Sequence, residues 1–331
     1  MKPNRVWGLA ATVSVLVLIA ACGGQQNTVS TELAADPGSC EVTRPTRISI
    51  ATGNASGVFY ALGGGMAEAL GRSTGGTVRA NAAETGASVQ NIEQLGTGDY
   101  QVAFSTADTA VDAVTGTGSF APDRRDVVAL ARLYTSTVQV VVRNDRAIGS
   151  LADLAGKRVS TGSPRSGTEV VANRLLETAN VTAHAQRLDL GTSVDGLRDG
   201  SLDALIWVGG LPTPALIDLF SSAGDQVSML DISATLPAMR RLNGAYEPGG
   251  VPAEVYGTGS STPSIAVGNV LLARSDIDPA LSCVVTRTLL ENLDELAAVN
   301  RAAAEITIET IADTGEVPLA PGSRRAVESL R

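Results

Sequence analysis

Two stretches of this chain follow one plan, about a hundred residues apart. In the first, Ser88-Val89 opens a helical segment that ends near Gly96 to Gly98. The apolar run Gln101-Val102-Ala103-Phe104 and a new helix from about Ala107 follow. In the second, Ser193-Val194 opens a helix ending at Gly200, and Asp203-Ala204-Leu205-Ile206-Trp207-Val208 reads as the strand. The turn Gly209-Gly210-Leu211-Pro212 and a helix from about Pro214 complete the copy. Such a repeat predicts two lobes of similar topology facing each other. Around it, short β-branched runs alternate with segments of helical period, the pattern of a mostly parallel sheet wrapped by helices. The class is α/β.

Each lobe carries a glycine-rich turn that leads from a strand into a helix. Arg47-Ile48-Ser49-Ile50-Ala51 runs into Thr52 to Gly57, after which Val58, Leu62, Met66 and Leu70 recur at helical spacing. Arg158 to Thr161 runs into Gly162 to Thr168, with the helix over Thr168 to Ala179 and a capping box formed by Ser166 and Glu169. Free N–H groups and the positive end of the helix dipole meet at such turns, which suits a carboxylate or another anion. A tight connection with Ser166 as a plain cap is the competing reading. Val138 to Arg143 and Ile265 to Ala273 fit extended segments that cross between lobes, Leu151 to Lys157 a short helix, and Tyr246 to Pro263 a loop over the cleft rim. Ligands of open α/β sheets sit outside the carboxyl ends of the strands, so both turns are expected to converge on one cleft, with hinge closure as the motion.

The N-terminus specifies the compartment. Lys2 and Arg5 precede the apolar stretch Val6 to Ala21, which ends in Ile19-Ala20-Ala21-Cys22, a lipobox. The stretch falls short of the roughly 18–20 residues that span a bilayer and ends in small residues, so it reads as a signal peptide with lipid placed on the Cys22 thiol. Residues 22–43 then form a small, polar tether. The formal charge is −9, and because residues 1–21 contribute only Lys2 and Arg5, the chain after them sums to −11. That balance disfavours nucleic acid and unaided binding to an anionic membrane. In an oxidising compartment Cys40 and Cys283 are expected to pair, the alternative being two separately buried thiols. The expected organisation is a signal peptide over 1–21, lobe 1 over 44–136 and 267–331, and lobe 2 over 137–266.

From about Arg47 onward the chain resembles the TAXI-type solute receptors of tripartite ATP-independent periplasmic (TRAP) transporters. Carrying the resemblance, in order, are Gly57-Val58-Phe59-Tyr60, Thr85-Gly86-Ala87-Ser88-Val89-Gln90-Asn91, Ala107-Asp108, Leu154-Ala155-Gly156-Lys157-Arg158-Val159, Ser166-Gly167-Thr168-Glu169 and Gly209-Gly210-Leu211-Pro212-Thr213-Pro214-Ala215. It implies a bilobed type II periplasmic-binding fold, no cofactor, a monomer that delivers its solute to membrane permease subunits, and ligands of the glutamate, glutamine, 2-oxo acid or dicarboxylic acid class. By position, the ligand would meet Gly53, Asn54, Ser56 and Gly57 in the first turn and the aromatic Phe59 and Tyr60. Ser88, Asn91, Thr106, Asp108 and Tyr134 would follow from lobe 1. Ser163, Ser166, Gly167 and Thr168, with Trp207, Gly209 and Gly210, would close it from lobe 2. The chain departs from the family where Ala87 replaces a Gly, Phe59 a Tyr and Thr106 a Gln, and it lacks a further Gly near Asn54; Thr106 lacks an amide that both donates and accepts.

Structural roles compete for several of these. Ser88 and Asn91 suit a helix cap, Tyr60 and Tyr134 suit core positions, and Trp207 suits core or a cleft wall. Arg132 and Arg165 would fork a carboxylate, or form structural ion pairs. An enzyme on this fold is disfavoured: the sole histidine, His184, has no cysteine or carboxylate beside it, and the sequence contains no phosphate loop and no nucleophile elbow. A lipoprotein that reports its ligand to a sensor kinase is the remaining alternative.

Overall fold

The computed structural model describes residues 40–331; the leader, the Cys22 lipobox and most of the tether lie outside them. Ten strands form one hydrogen-bonded sheet: β1 (Thr46–Ala51), β2 (Val78–Ala83), β3 (Val102–Thr106), β4 (Val127–Arg143), β5 (Arg158–Ser160), β6 (His184–Gln186), β7 (Ala204–Gly209), β8 (Val227–Met229), β9 (Tyr246–Val251) and β10 (Thr262–Arg274). Their order is β2-β1-β3-β10-β4-β7-β5-β6, with β8 on β4 and β9 on β10. At one end β1 pairs in parallel with β2 and β3, and at the other β5 pairs in parallel with β6 and β7. The two parallel groups are the sheets of two lobes.

The strands that join them are long because each serves both. Over its 17 residues β4 pairs with β10 from Val127 to Thr137 and with β7 from Thr137 to Val142. β10 pairs with β3 through Asn269–Leu272 and with β9 through Thr262–Val267. Both expected crossings, Val138 to Arg143 and Ile265 to Ala273, therefore fall within β4 and β10. A register shift between Gly268 and Val270 interrupts their ladder where the chain changes lobe, and such a shift bends a strand locally.

Apolar periodicity decides what each helix buries. Helix α1 (Val58–Ser73) turns Val58, Leu62, Met66 and Leu70 inward; each of these side chains gains roughly 1.5–3 kcal/mol from burial. Gly63 of α1 has no room for a side chain, because a Cβ there would overlap the Thr52 methyl. Two clusters of buried side chains draw on the first strands and the C-terminal segment, such as Ile50, Leu70, Phe104, Leu271 and Val285. Two others draw on the middle of the chain, such as Val140, Leu175, Ile206, Leu219 and Val267. Cys40 and Cys283 form a disulfide with Cα atoms 5.1 Å apart, tying the first described residue to the C-terminal helix Pro279–Glu291.

The remaining helices near the lobe junction are α2 (Ser88–Thr97), α3 (Ala107–Thr115), α4 (Gly167–Thr178), α5 (Leu190–Asp199), α6 (Pro214–Ala223) and α7 (Leu236–Leu242). Tyr246 to Pro263 is not the rim loop its Pro and Gly content suggested. It holds β9, the helix Ala253–Tyr256 and the start of β10. Pro248 is tolerated because β9 is an edge strand paired only with β10. Leu151–Leu154 is a short 3-10 helix with a Ser150/Asp153 capping box. No helix of the described residues is long and apolar enough to cross a membrane.

Candidate functional site

Helices α1 and α4 start at the carboxyl ends of β1 and β5, one from each lobe, and both starts face one cavity. Gly53, Asn54, Gly57, Val58 and Phe59 line it from the α1 side, and Ser166, Gly167 and Thr168 from the α4 side. Gly57, the residue before α1, gives that helix no side-chain cap. The N–H groups of Val58, Phe59, Gly167 and Thr168 donate to no group among the described residues. Ser88 and Thr106 complete the lobe 1 wall, and Trp207, Val208 and Gly209 complete that of lobe 2. The cavity encloses ≈ 450 Å³ including its mouth, of which ≈ 40 Å³ admits the centre of a water molecule. One buried water requires about 10–15 Å³ by that measure, so the closed space fits a small solute or a few waters.

The lobes touch around this cavity. The carbonyl of Arg165 in lobe 2 accepts from Val89 N and Gln90 N at 3.1 Å each, so the second turn caps α2 of lobe 1. Arg165 also pairs with Glu93 across the gap. The Asn54 amide and Ser163 hydroxyl exchange contacts of 3.2 and 3.3 Å over the rim. A Cβ on Gly167 would come within 2.7 Å of both Ser88 Oγ and Thr106 Oγ1; that glycine is what permits the approach of α4 to lobe 1. The arrangement is closed.

Hydroxyls dominate the polar lining, and three of them each already accept one backbone N–H. Ser88 Oγ accepts from Thr106 N at 3.1 Å, Ser166 Oγ from Glu169 N at 3.0 Å and Thr168 Oγ1 from Val208 N at 3.3 Å. Phe59, Tyr134 and Trp207 supply the apolar wall. Phe59 packs edge-on to Tyr134 with ring centroids 6.3 Å apart, and Trp207 Nε1 donates to Thr213 Oγ1 at 3.2 Å. Burial, with the Glu305 carboxylate nearby, raises the Tyr134 phenol far above its ordinary value, which keeps it neutral.

The structure thus brings twelve of the expected site residues to the cavity: Gly53, Asn54, Gly57, Phe59, Ser88, Thr106, Tyr134, Ser166, Gly167, Thr168, Trp207 and Gly209. Ser56 is half-buried beside the first turn and outside the lining, and Tyr60, on the next helical position, is 38% exposed. Ser163 sits at the rim on Asn54. Gly210 lies behind the wall, where a Cβ would meet Tyr134 at 2.7 Å. Asn91 belongs to neither a cap nor the cavity: its amide donates to the carbonyls of Thr52 and Phe104 at 2.7 and 2.8 Å and accepts from Thr85 Oγ1 at 2.6 Å. It fastens the ends of β1 and β3 together. Val208, inside the expected stretch Trp207 to Gly210, lines the cavity too, and Val58, Ala87 and Ser136 line it without having been expected there. Ser136 had no readable signal, since it lies inside an alternating β-branched run.

Asp108 is also displaced from the site, into a buried network that joins the lobes. Arg174 of α4 donates to Asp108 at 2.9 Å and Asp112 at 2.5 Å, while Tyr246 Oη donates to Asp108 at 2.6 Å. Asn243 donates to the Asp108 carbonyl and Asp112 Oδ1 at 3.0 Å each. Burial, only partly offset by Arg174 and reinforced by Asp108, raises the Asp112 carboxyl. Burial pulls the Arg174 guanidinium down, but the Tyr246 hydroxyl it bonds and the Asp108 and Asp112 carboxyls outweigh it and hold Arg174 above its ordinary value.

Residues 50–328 match the model of the NMT1-like family. The chain belongs to that family. This NMT1-like chain is also similar to solved structures at low identity. A Bordetella bronchiseptica RB50 protein is 17% identical, with a TM-score of 0.50 over 86% of this chain and 88% of that one. A putative L-cystine ABC transporter protein from Listeria monocytogenes is 15% identical, with a TM-score of 0.50 over 79% of this chain and 98% of the other. A Xanthomonas citri protein with chloride ion bound is 12% identical, with a TM-score of 0.50 over 86% and 95%. The fold is the bilobed type II periplasmic-binding fold.

Proposed function

We propose that this NMT1-like chain is an extracytoplasmic solute-binding protein of a TRAP transporter, tethered to the membrane through lipid on Cys22, which captures a small carboxylate by closure of two lobes. Lobe 1 comprises residues 44–136 and 267–331 and lobe 2 residues 137–266, with β4 and β10 as the hinge strands. The observation that carries the reading is the pair of helix starts, α1 from one lobe and α4 from the other, whose unpartnered N–H groups line one cavity. Two positive helix ends and a set of hydroxyls favour an anion without a basic side chain. Binding rather than chemistry fits the lining, because it holds no histidine, cysteine or carboxylate to serve as base or nucleophile. The resemblance to TAXI-type receptors supports the TRAP permease as the partner, and the lipobox supports the anchor.

The test is a thermal-shift series on the full chain in detergent, after stripping any retained solute by unfolding and refolding. Pyruvate, 2-oxoglutarate, succinate, glutamate, glutamine and glucose are the probes. A ligand at a hundred times its Kd stabilises the fold by about 2.7 kcal/mol, which is a shift of several degrees. The expected result is such a rise with at least one acid, lost in Trp207→Ala. Flat melting curves for every acid would refute the assignment.

A further inference from the structure

We infer that the cleft selects acids that carry no ammonium group, so that an oxo, hydroxy or unsubstituted acid binds and its amino-acid counterpart is rejected. The inference rests on the receptor reading above and deepens it, because it concerns the ligand's second functional group.

The cleft is rich in donors and poor in acceptors. None of the side chains lining it is Asp, Glu, Lys, Arg or His. Ser88, Ser166 and Thr168 are 1%, 5% and 5% exposed, and each accepts a backbone N–H while its own O–H donates to no group among the described residues. Those protons remain for the solute, beside the unpartnered N–H groups of α1 and α4. Several oxygens at the lining already accept one hydrogen bond each, and no lining side chain carries a negative charge to set against an ammonium. Asn54 Oδ1 accepts from Ser163 at 3.3 Å, and the carbonyls of Gly53 and Ala87 accept from Thr85 N at 3.4 Å and Asn91 N at 3.0 Å. The Gly57 carbonyl accepts from Ala61 N at 3.4 Å, and the Gly209 carbonyl from Gln139 Nε2 at 3.4 Å.

An oxyanion placed here meets converging donors. An ammonium on its neighbouring carbon would bring three further donors and a positive charge to a site that already points helix N-termini inward. Buried without a carboxylate partner, it loses more hydration than neutral oxygens already sharing hydrogen bonds return. Replacing that group by an oxo oxygen turns the mismatch into a further acceptor for the same hydroxyls. Discrimination of this kind against a mispaired polar group is large.

The experiment is calorimetric titration of the stripped full chain with three matched pairs: pyruvate and alanine, 2-oxoglutarate and glutamate, 4-methyl-2-oxopentanoate and leucine. Propanesulfonate stands beside them as an oxyanion that is not a carboxylate, and glucose and spermidine as neutral and cationic probes. The expected result is that in at least one pair the oxo acid binds at least about a hundredfold tighter than the amino acid. Thr168→Val should weaken that binding and Thr168→Ser should keep it, with the ligand-free melting temperature of each variant reported as the check on folding. An amino acid that binds as tightly as its oxo partner overturns the inference while leaving a receptor in place. So does binding of glucose or spermidine alone, provided Trp207→Ala abolishes it. Binding confined to propanesulfonate overturns the choice of carboxylic acids and retains the rejection of ammonium. No heat with any probe overturns both the inference and the receptor reading.

Discussion

Ala87 holds a backbone conformation that side chains resist. It precedes α2 with φ 73° and ψ −152°, a region populated almost only by glycine and one where strain amounts to about 1–3 kcal/mol. Glycine fits that geometry without strain, and Ala87→Gly is expected to raise stability by about 1 kcal/mol after the added flexibility of the unfolded chain is counted. Chemical denaturation would measure the change, and an equal loss would show that the methyl contributes packing worth more than the strain. Asn91 gives the opposite outcome. Asn91→Ala leaves the buried carbonyls of Thr52 and Phe104 and the Thr85 hydroxyl without their partner, a loss of about 2–4 kcal/mol. Its effect is expected in the melting of ligand-free protein. At this scale the two turns and Trp207 picked out from the sequence line one cavity. Sequence reading could not separate Asn91 from Ser88, because an amide or hydroxyl near a helix start looks alike whether it meets a strand end or a solute. Ser136 was illegible because its neighbours Thr135 and Thr137 give it the pattern of any strand residue.

Among the elements, α3 and α4 are coupled by a buried cluster with one guanidinium and two carboxyls. The groups facing Asp112 are Arg174, Asp108 and Asn243, with Tyr246 reaching Asp108 from β9. Since folding raises the Asp112 carboxyl above its ordinary value, proton uptake there favours the folded state. That contribution is fully present below the ordinary carboxylate value of about 3.8 and is lost as pH rises through the raised one. Asp112→Asn is therefore expected to remove that loss of stability as pH rises from about 3.8 through the raised value, while retaining the Asn243 contact, and an unaltered pH profile would contradict this. The core strands and helices were legible because their periods are strong: β1, β3, β7, α1, α3, α4 and α6 lie within a few residues of expectation. β9 was missed, since Pro248-Gly249-Gly250 signals a turn everywhere except at an edge where one neighbour suffices. The helix expected from Ser193 begins earlier, at Leu190, because Asp189 caps it through Thr192 N at 3.0 Å.

For the whole molecule, the internal repeat foretold two lobes, and the position of the glycine-rich turns at the carboxyl ends of strands foretold that they converge. The sequence could not show how closely they meet. That follows from contacts between residues far apart in the chain, such as Arg165 with Val89 and Asn54 with Ser163, and from the room that Gly167 leaves for Ser88 and Thr106. In the closure proposed above, each of these contacts would part for a solute to enter, with β4 and β10, whose ladder has a register shift beside Gly268, as the hinge strands. The central claim is that the two lobes close over a small anion. Small-angle X-ray scattering of the stripped full chain in detergent-matched buffer tests it most directly, with and without saturating amounts of the acid that gives the largest thermal shift. The account predicts a smaller radius of gyration with that acid and no change in Trp207→Ala; a profile identical with and without saturating acid would contradict it.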